Sequence, residues 1–291
     1  MARISDMFTA IPQLRERFYK LLPGKESLIQ TINEAEISEN VYNSNAIENS
    51  TLSLDETEKI LLEIDLERFV TSREIHEAKN LARVMQYVEK KAPQQHLTHE
   101  EILLLHKMLI GNIDENIAGR FRQTNEWVRV GSYIAPNPEE VPKLISNLLT
   151  AFQANTKSHI VSKLAQFHLE FEHIHPFCDG NGRIGRVLNN YVLLREGYVP
   201  INISFVDRAR YYEAFKAYDQ KREIKIMEEI IGRALTKSYH KRLAYLESKN
   251  IITLKEYARL TSSSYSNLLN KAQRQTIEAF QEKSVWKIAV D

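Results

Sequence analysis

Apolar residues recur at helical spacing along most of this chain. After Thr71, the residues Ile75, Ala78, Leu81, Ala82, Met85 and Val88 fall on one face of a 3.6-residue repeat, and after Thr98 so do Ile102, Leu105, Met108 and Leu109. Leu164, Phe167, His168, Phe171 and Ile174 make a further stripe, and Val187–Leu194 another. Helix starts carry a Ser or Thr with Glu three residues on, a pairing in which hydroxyl and carboxylate satisfy orphan backbone donors. Ser53–Glu56, Thr71–Glu74, Thr98–Glu101 and Thr253–Glu256 are four such pairs. A helix is also expected over Glu34–Asn45. With nine glycines and eight prolines in 291 residues, turns are few and helices long. The pattern predicts an all-α fold with two interruptions.

The first interruption is 119–142. Trp127-Val128-Arg129-Val130 and Ser132-Tyr133-Ile134 flank Gly131 as in a short hairpin, and Pro136, Pro138 and Pro142 forbid an immediate helix. The second begins near 250. Ile251–Leu260 reads as one short amphipathic helix, Thr261–Ser264 as a turn and Tyr265–Arg274 as a second helix. Ile277–Phe280 and Val285–Ile288 read as strands around a polar turn at Gln281–Ser284. Helix, turn, helix, hairpin is the order of a winged helix-turn-helix. Three regions are therefore expected: 1–95, 96–245 and 246–291.

Composition narrows the setting. A hydrophobic share of 43% supports a sizeable core, and no apolar run approaches the ~20 residues of a membrane span. The start of the chain lacks the apolar core of a signal peptide. Cys178 is the one cysteine, so no intrachain disulfide forms, which fits a reducing cytoplasm. The net charge of +1 hides an asymmetry: residues 233–291 hold eleven Lys/Arg and five Asp/Glu, a net +6. Such a segment suits DNA or another acidic partner, and equally a solvated lysine-rich surface.

The chemistry concentrates in residues 175–186, His-Pro-Phe-Cys-Asp-Gly-Asn-Gly-Arg-Ile-Gly-Arg, which run directly into an apolar helical pattern. Glycines let backbone N–H groups wrap an anion, and a helix N-terminus adds partial positive charge. Arg183 and Arg186 bring forked donors suited to phosphate. His175 can accept a proton near neutrality, and Asp179 is a hard oxygen ligand for Mg²⁺. The string reads as a polyphosphate cradle beside a base and a metal ligand. His168, His173 and His175 also invite a zinc reading, but no cysteine pair or His-Glu-x-x-His spacing accompanies them.

The whole string resembles the signature of Fic-domain proteins, His-x-Phe-x-Asp/Glu-Gly-Asn-Gly-Arg-x-x-Arg, at every fixed position. The resemblance implies a Fic-type helical bundle and transfer of AMP from ATP to a Tyr, Thr or Ser hydroxyl of a target protein. By the same resemblance His175 is the base and Asp179 holds Mg²⁺. Gly180, Asn181 and Gly182, including the Asn181 side chain, donate to phosphate oxygens. Ile184 and Gly185 continue the ATP-binding loop, and Arg183 and Arg186 take its β/γ end. Phe177 fixes the loop from the core. Val128, Arg129, Val130 and Gly131 fall where the family carries a flap over the nucleotide, which pairs with the target as an added strand; a purely structural hairpin is the alternative. Tyr211, Tyr212 and Asp219 fall where relatives line the nucleoside pocket. Ser44-Asn45-Ala46-Ile47-Glu48-Asn49 fits the family's inhibitory motif, in which Ser44, Glu48 and Asn49 close a helix and Glu48 occupies Arg186. It places the inhibitory helix in region 1–95 and the catalytic core in 96–245. The same residues would also serve removal of AMP from a modified protein. A nucleotide-sensing DNA-binding regulator is a reading from another class. Self-modification and a homodimer are further expectations.

Overall fold

A computed structural model describes residues 4–131 and 133–290. Ser132, read above as part of the hairpin, and the first three residues of the N-terminal segment lie outside them. The described chain is mainly helical: α1 Ile4–Leu21, α2 Glu26–Ile47, α3 Leu54–Leu61, α4 Ser72–Lys91, α5 His99–Ile110, α6 Val141–Ala154, α7 Ile160–Ile174, α8 Asn181–Arg195, α9 Arg208–Lys221, α10 Lys225–Leu246, α11 Leu254–Leu260 and α12 Tyr265–Gln273. Five short strands complete it: β1 Arg129–Val130, β2 Tyr133–Ile134, β3 Asn250–Thr253, β4 Ala279–Glu282 and β5 Val285–Val290. None of the described helices is long and apolar enough to cross a membrane.

The chain divides into two compact units. One comprises Ile37–Tyr198 and Ile203–Glu228. Within it α8 packs on α4, α5 and α7, and α7 packs on α6 and α9. The first three turns of α8 are buried almost all round, from Asn181 and Arg183 through Leu193, so its N-terminus is held by neighbours on every side. Leu81, Leu105, Leu109, Leu164, Phe167, Phe171 and Leu188 fill this core. Ser53 and Glu56 form the reciprocal cap at the start of α3. Thr71 and Thr98 cap α4 and α5, accepting from the backbone N–H of Glu74 and Glu101.

The other unit comprises Met1–Glu36, Val199–Asn202 and Glu229–Asp291. Phe18 meets Tyr239 edge-on, at 5.9 Å between ring centroids. Arg242 is fully buried and bonds Asn33 at 2.6 Å and Glu36 at 2.7 Å, the pairing a buried charge requires. Its last part differs from expectation. Asn250–Thr253 is a strand, not the start of a helix, and pairs with β5 in the antiparallel order β3-β5-β4. Ile251 and Ile252 are β-branched, and the Thr253–Glu256 capping box starts the helix only at Leu254. The hairpin turn is also tighter than expected, with β4 running on through Glu282. Lys283 and Ser284 both take positive φ, as a two-residue turn of the I′ kind demands.

Candidate active site

The motif forms the turn from α7 into α8. His175 caps α7 in the left-handed region, at φ 51, and Gly180 opens α8 at φ 80. A Cβ at Gly180 would also crowd Ile110 and Leu109, at 3.1 and 3.2 Å. The loop between is locked from within. Asn181 accepts from the Phe177 N–H at 2.9 Å and donates to its carbonyl at 2.8 Å. Phe177 is buried and stacks on His106 at 3.7 Å. His106 accepts from the Gly119 N–H through Nδ1, so Nε2 donates to the Asp179 carbonyl, 3.1 Å away. Buried Arg122 donates to the carbonyls of His175, Glu126, Pro136 and Ile174, tying the hairpin segment to the motif.

Two ionic clusters flank the start of α8. In the first, Arg183 bridges Glu77 at 3.0 Å and Asp179 at 3.3 Å, while Arg73 pairs with both carboxylates. Burial pushes the Asp179 carboxyl up, but Arg183 and Arg73 overcome it and hold it below its ordinary value, so it is ionised. In the second, Arg186 donates from Nε to the Ser44 hydroxyl at 2.9 Å, and from Nη2 to the Ser44 carbonyl at 2.8 Å. Its Nη1 donates to the Tyr211 hydroxyl at 3.3 Å, and Nη2 pairs with Glu48 Oε1 at 2.9 Å. Gly182 lies beneath that carboxylate: any Cβ there would collide with Glu48 Oε1. A carboxylate thus already sits at the N-terminus of α8, where partial positive charge collects.

Glu48 arrives there because α2 ends on a tight cap. Asn49 takes φ 70, Ser50 N–H reaches back to the Asn45 carbonyl at 3.0 Å, and Asn49 Oδ1 accepts from Arg208 at 2.6 Å. Only residues that tolerate the left-handed region suit that position.

His175 Nδ1 faces the Glu172 carbonyl at 3.2 Å, which leaves Nε2 with the lone pair. Burial, with Arg122 adding to it, lowers the imidazole to about 4, so it is neutral and ready to accept a proton at pH 7. Behind it stands Glu172, a buried carboxyl pushed up to about 8, first by burial and then by the charge of Glu48. Its Oε2 lies 3.9 Å from His175 Nδ1.

A family model described as the Fic/DOC family matches residues 96–193. The chain carries a Fic/DOC-family domain. It is 30% identical over 215 residues to the protein adenylyltransferase Fic of Nematostella vectensis, covering 72% of this chain and 49% of that protein. It is 31% identical over 223 residues to the Drosophila grimshawi protein of the same name, covering 71% and 45%. The chain therefore spans about half the length of these curated relatives. Among solved structures, a Fic-domain-containing signalling protein from Bacteroides thetaiotaomicron superposes with a TM-score of 0.74 at 24% identity, covering 82% of this chain and 97% of that one. That likeness is one of fold.

The fold brings His175, Asp179–Arg183 and Arg186 of the Fic domain together with Ser44 and Glu48 at the end of α2. Three expected roles differ in the structure. Asn181 uses its side-chain amide on the Phe177 backbone. Tyr211 is buried and bonds His168 at 2.7 Å as well as Arg186, so it positions the arginine and offers no open ring to a base. Asp219 bonds His173 at 2.8 Å, and His173 stacks on Tyr133 of the hairpin at 4.9 Å, which makes Asp219 a support of the hairpin. Tyr133 donates in turn to the His173 carbonyl at 2.9 Å. Tyr212 is exposed, reaches the Ile47 carbonyl at 3.2 Å and lies under Arg208. Val128–Gly131 form the hairpin: β1 pairs Arg129 with Ile134, and the Val128 carbonyl accepts from Ala135 at 3.0 Å. Ile184 is buried, and Gly185 gives its bare Cα to Glu172 and His168. Sequence reasoning missed Arg73, Glu77, His106, Arg122 and Glu172. Of these only Glu172 had a signal, its place one helical turn before His175.

Proposed function

We propose that this chain transfers AMP from ATP to a Tyr, Thr or Ser hydroxyl of a protein, its own chain included, and that Glu48 restrains the reaction. The single observation that carries the reading is the Glu48 carboxylate seated over Gly182 and paired with Arg186. The seat holds an anion, and a terminal phosphate would compete for it.

In the productive arrangement the β/γ end of ATP displaces Glu48 and takes the Arg186 fork. Backbone N–H groups at the start of α8 and the Arg183 side chain hold the remaining phosphate oxygens. His175 Nε2 takes the proton of the target hydroxyl as that oxygen attacks the α-phosphorus. The new P–O bond forms as the α–β bridging bond breaks, and pyrophosphate departs with the bridging oxygen. The Glu172 carbonyl keeps the His175 proton on Nδ1 and the ring aimed. Asp179, ionised and only partly covered, fits a Mg²⁺ that takes its other ligands from phosphate and water. Such an ion would neutralise charge on the phosphates. The β1–β2 hairpin, with Ile134 exposed on β2 and Trp127 exposed just before β1, offers an edge to which an extended target segment can add.

The test is incorporation of label from α-labelled ATP. His175→Ala should lower transfer on the order of 10²–10⁴-fold while leaving nucleotide binding in place. Transfer at the wild-type rate in that variant would remove His175 from the mechanism.

A further inference from the structure

The segment after Lys249 plays no part in the reaction above, and its surface is one-sided. Residues 257–277 contain no Asp or Glu, but they contain Arg259, Lys271 and Arg274. Helix α12 buries Leu268 and Ala272 against Leu254, Ala258, Ala279 and Ile288, with Leu269 packed beside them. The face turned to solvent carries Asn267, Asn270, Lys271 and Arg274 at spacings of three, four and seven, one continuous stripe. Neighbouring carboxylates are all engaged. Glu256 caps Thr253 at 2.8 Å, Glu278 pairs with Arg17 at 2.7 Å, and Glu282 pairs with Lys287 at 2.6 Å and Lys241 at 3.2 Å. Lys271 and Arg274 form no ion pair among the described residues.

These residue types match a nucleic-acid duplex better than a protein surface. Asn side chains bond adenine edges in two places at once, and Lys and Arg take guanine edges or phosphates. A protein-docking helix would place apolar anchors on the stripe. Within 250–290 the exposed large apolar side chains are Leu260, Tyr265 and Val285, none of them on it. An α-helix with its side chains is about 10–12 Å across, against a major groove about 12 Å wide. We propose that α12 binds the major groove of double-stranded DNA, with Asn267 and Asn270 on base edges and Lys271 and Arg274 on bases or phosphates.

The test uses the full chain and a fluorescently labelled random-sequence duplex, followed by anisotropy at several salt concentrations. Two phosphate contacts, from Lys271 and Arg274, predict a slope near −2 in log affinity against log salt, so affinity should fall roughly 12-fold over a fourfold rise in salt. Lys271→Ala with Arg274→Ala should weaken low-salt binding more than about tenfold and flatten that slope by up to about 2. Far-UV circular dichroism checks that the double variant is folded. Asn267→Ala with Asn270→Ala should keep the salt slope but lose preference among duplexes selected from a random pool. No duplex binding at low salt, or full binding by the Lys271/Arg274 variant, would overturn the proposal. So would a chain that self-associates through this face in light scattering but ignores DNA. Label transfer from ATP is not a readout here, so the outcome is independent of the catalytic reading.

Discussion

Replacing Glu48 with Gly should raise label transfer, and the structure sets how far. The substitution removes one charge-assisted bond, from Arg186 Nη2 to Oε1 at 2.9 Å. A hydrogen bond to a charged group is worth ~1.5–3 kcal/mol, and each 1.4 kcal/mol is about tenfold in population. Glu48 is 34% exposed, so water already screens part of that interaction and the lower half of the range applies. Arg186 itself stays in place, because Ser44 Oγ, the Ser44 carbonyl and Tyr211 hold its other donors. Transfer should therefore rise by roughly 10- to 50-fold at fixed ATP. Glu48→Gln, which keeps the shape and loses the charge, should fall between the two. The assay is incorporation of α-label into the chain itself and into proteins of a native lysate. Unchanged transfer in Glu48→Gly would show that the carboxylate does not compete for the arginine. Lower transfer would make Glu48 a participant in hydrolysis or a structural cap.

Two further outcomes follow from the same region. Glu172 is pushed up to about 8, so its contribution to stability is complete below the ordinary carboxylate range and is lost as pH rises through 8. Thermal melting of the wild type should carry a decline from about pH 4.5 to about pH 8 that levels off above it, and Glu172→Gln should flatten that decline; parallel curves would mean Glu172 does not titrate there. Asn49 sits at φ 70, so Asn49→Gly should be tolerated while Asn49→Val should cost ~1–2 kcal/mol at the end of α2 and release part of the restraint on transfer. Equal melting temperatures and equal label incorporation for the two variants would refute the role of that cap.

What could be read from the chain alone was what is encoded locally. Helix starts at Ser53 and Thr253 needed only a hydroxyl and a carboxylate three residues apart, and both reciprocal caps are present. The 175–186 string announces itself because a turn that wraps an anion needs its glycines, donors and base within one loop. The residues that hold this loop are scattered by comparison. Arg73 and Glu77 come from α4, His106 from α5 and Arg122 from the segment before the hairpin, and each is an ordinary polar residue in its own neighbourhood. Their roles depend on packing, which periodicity does not reveal. Tyr211 misled for the related reason that a tyrosine at helical spacing has the same sequence signature whether its hydroxyl faces a ligand or, as here, a buried arginine. The strand at Asn250–Thr253 was hidden because its pairing partner, β5, lies more than thirty residues later.

The three-point grip of Ser44 and Tyr211 on Arg186 has a consequence for which nucleotides would feel the restraint. Because the guanidinium is anchored with or without Glu48, the Glu48 carboxylate would act as a plug in a fixed socket, and only a ligand group that reaches the socket would meet it. Discrimination should then follow the length of the phosphate chain. On the proposed function, ATP would have to evict the plug, whereas a shorter nucleotide that stops short of Arg186 would bind alongside it undisturbed. Restraint of this kind would need no rearrangement of the bundle; it would turn on one side chain at the end of one helix, and rising ATP would work against it directly.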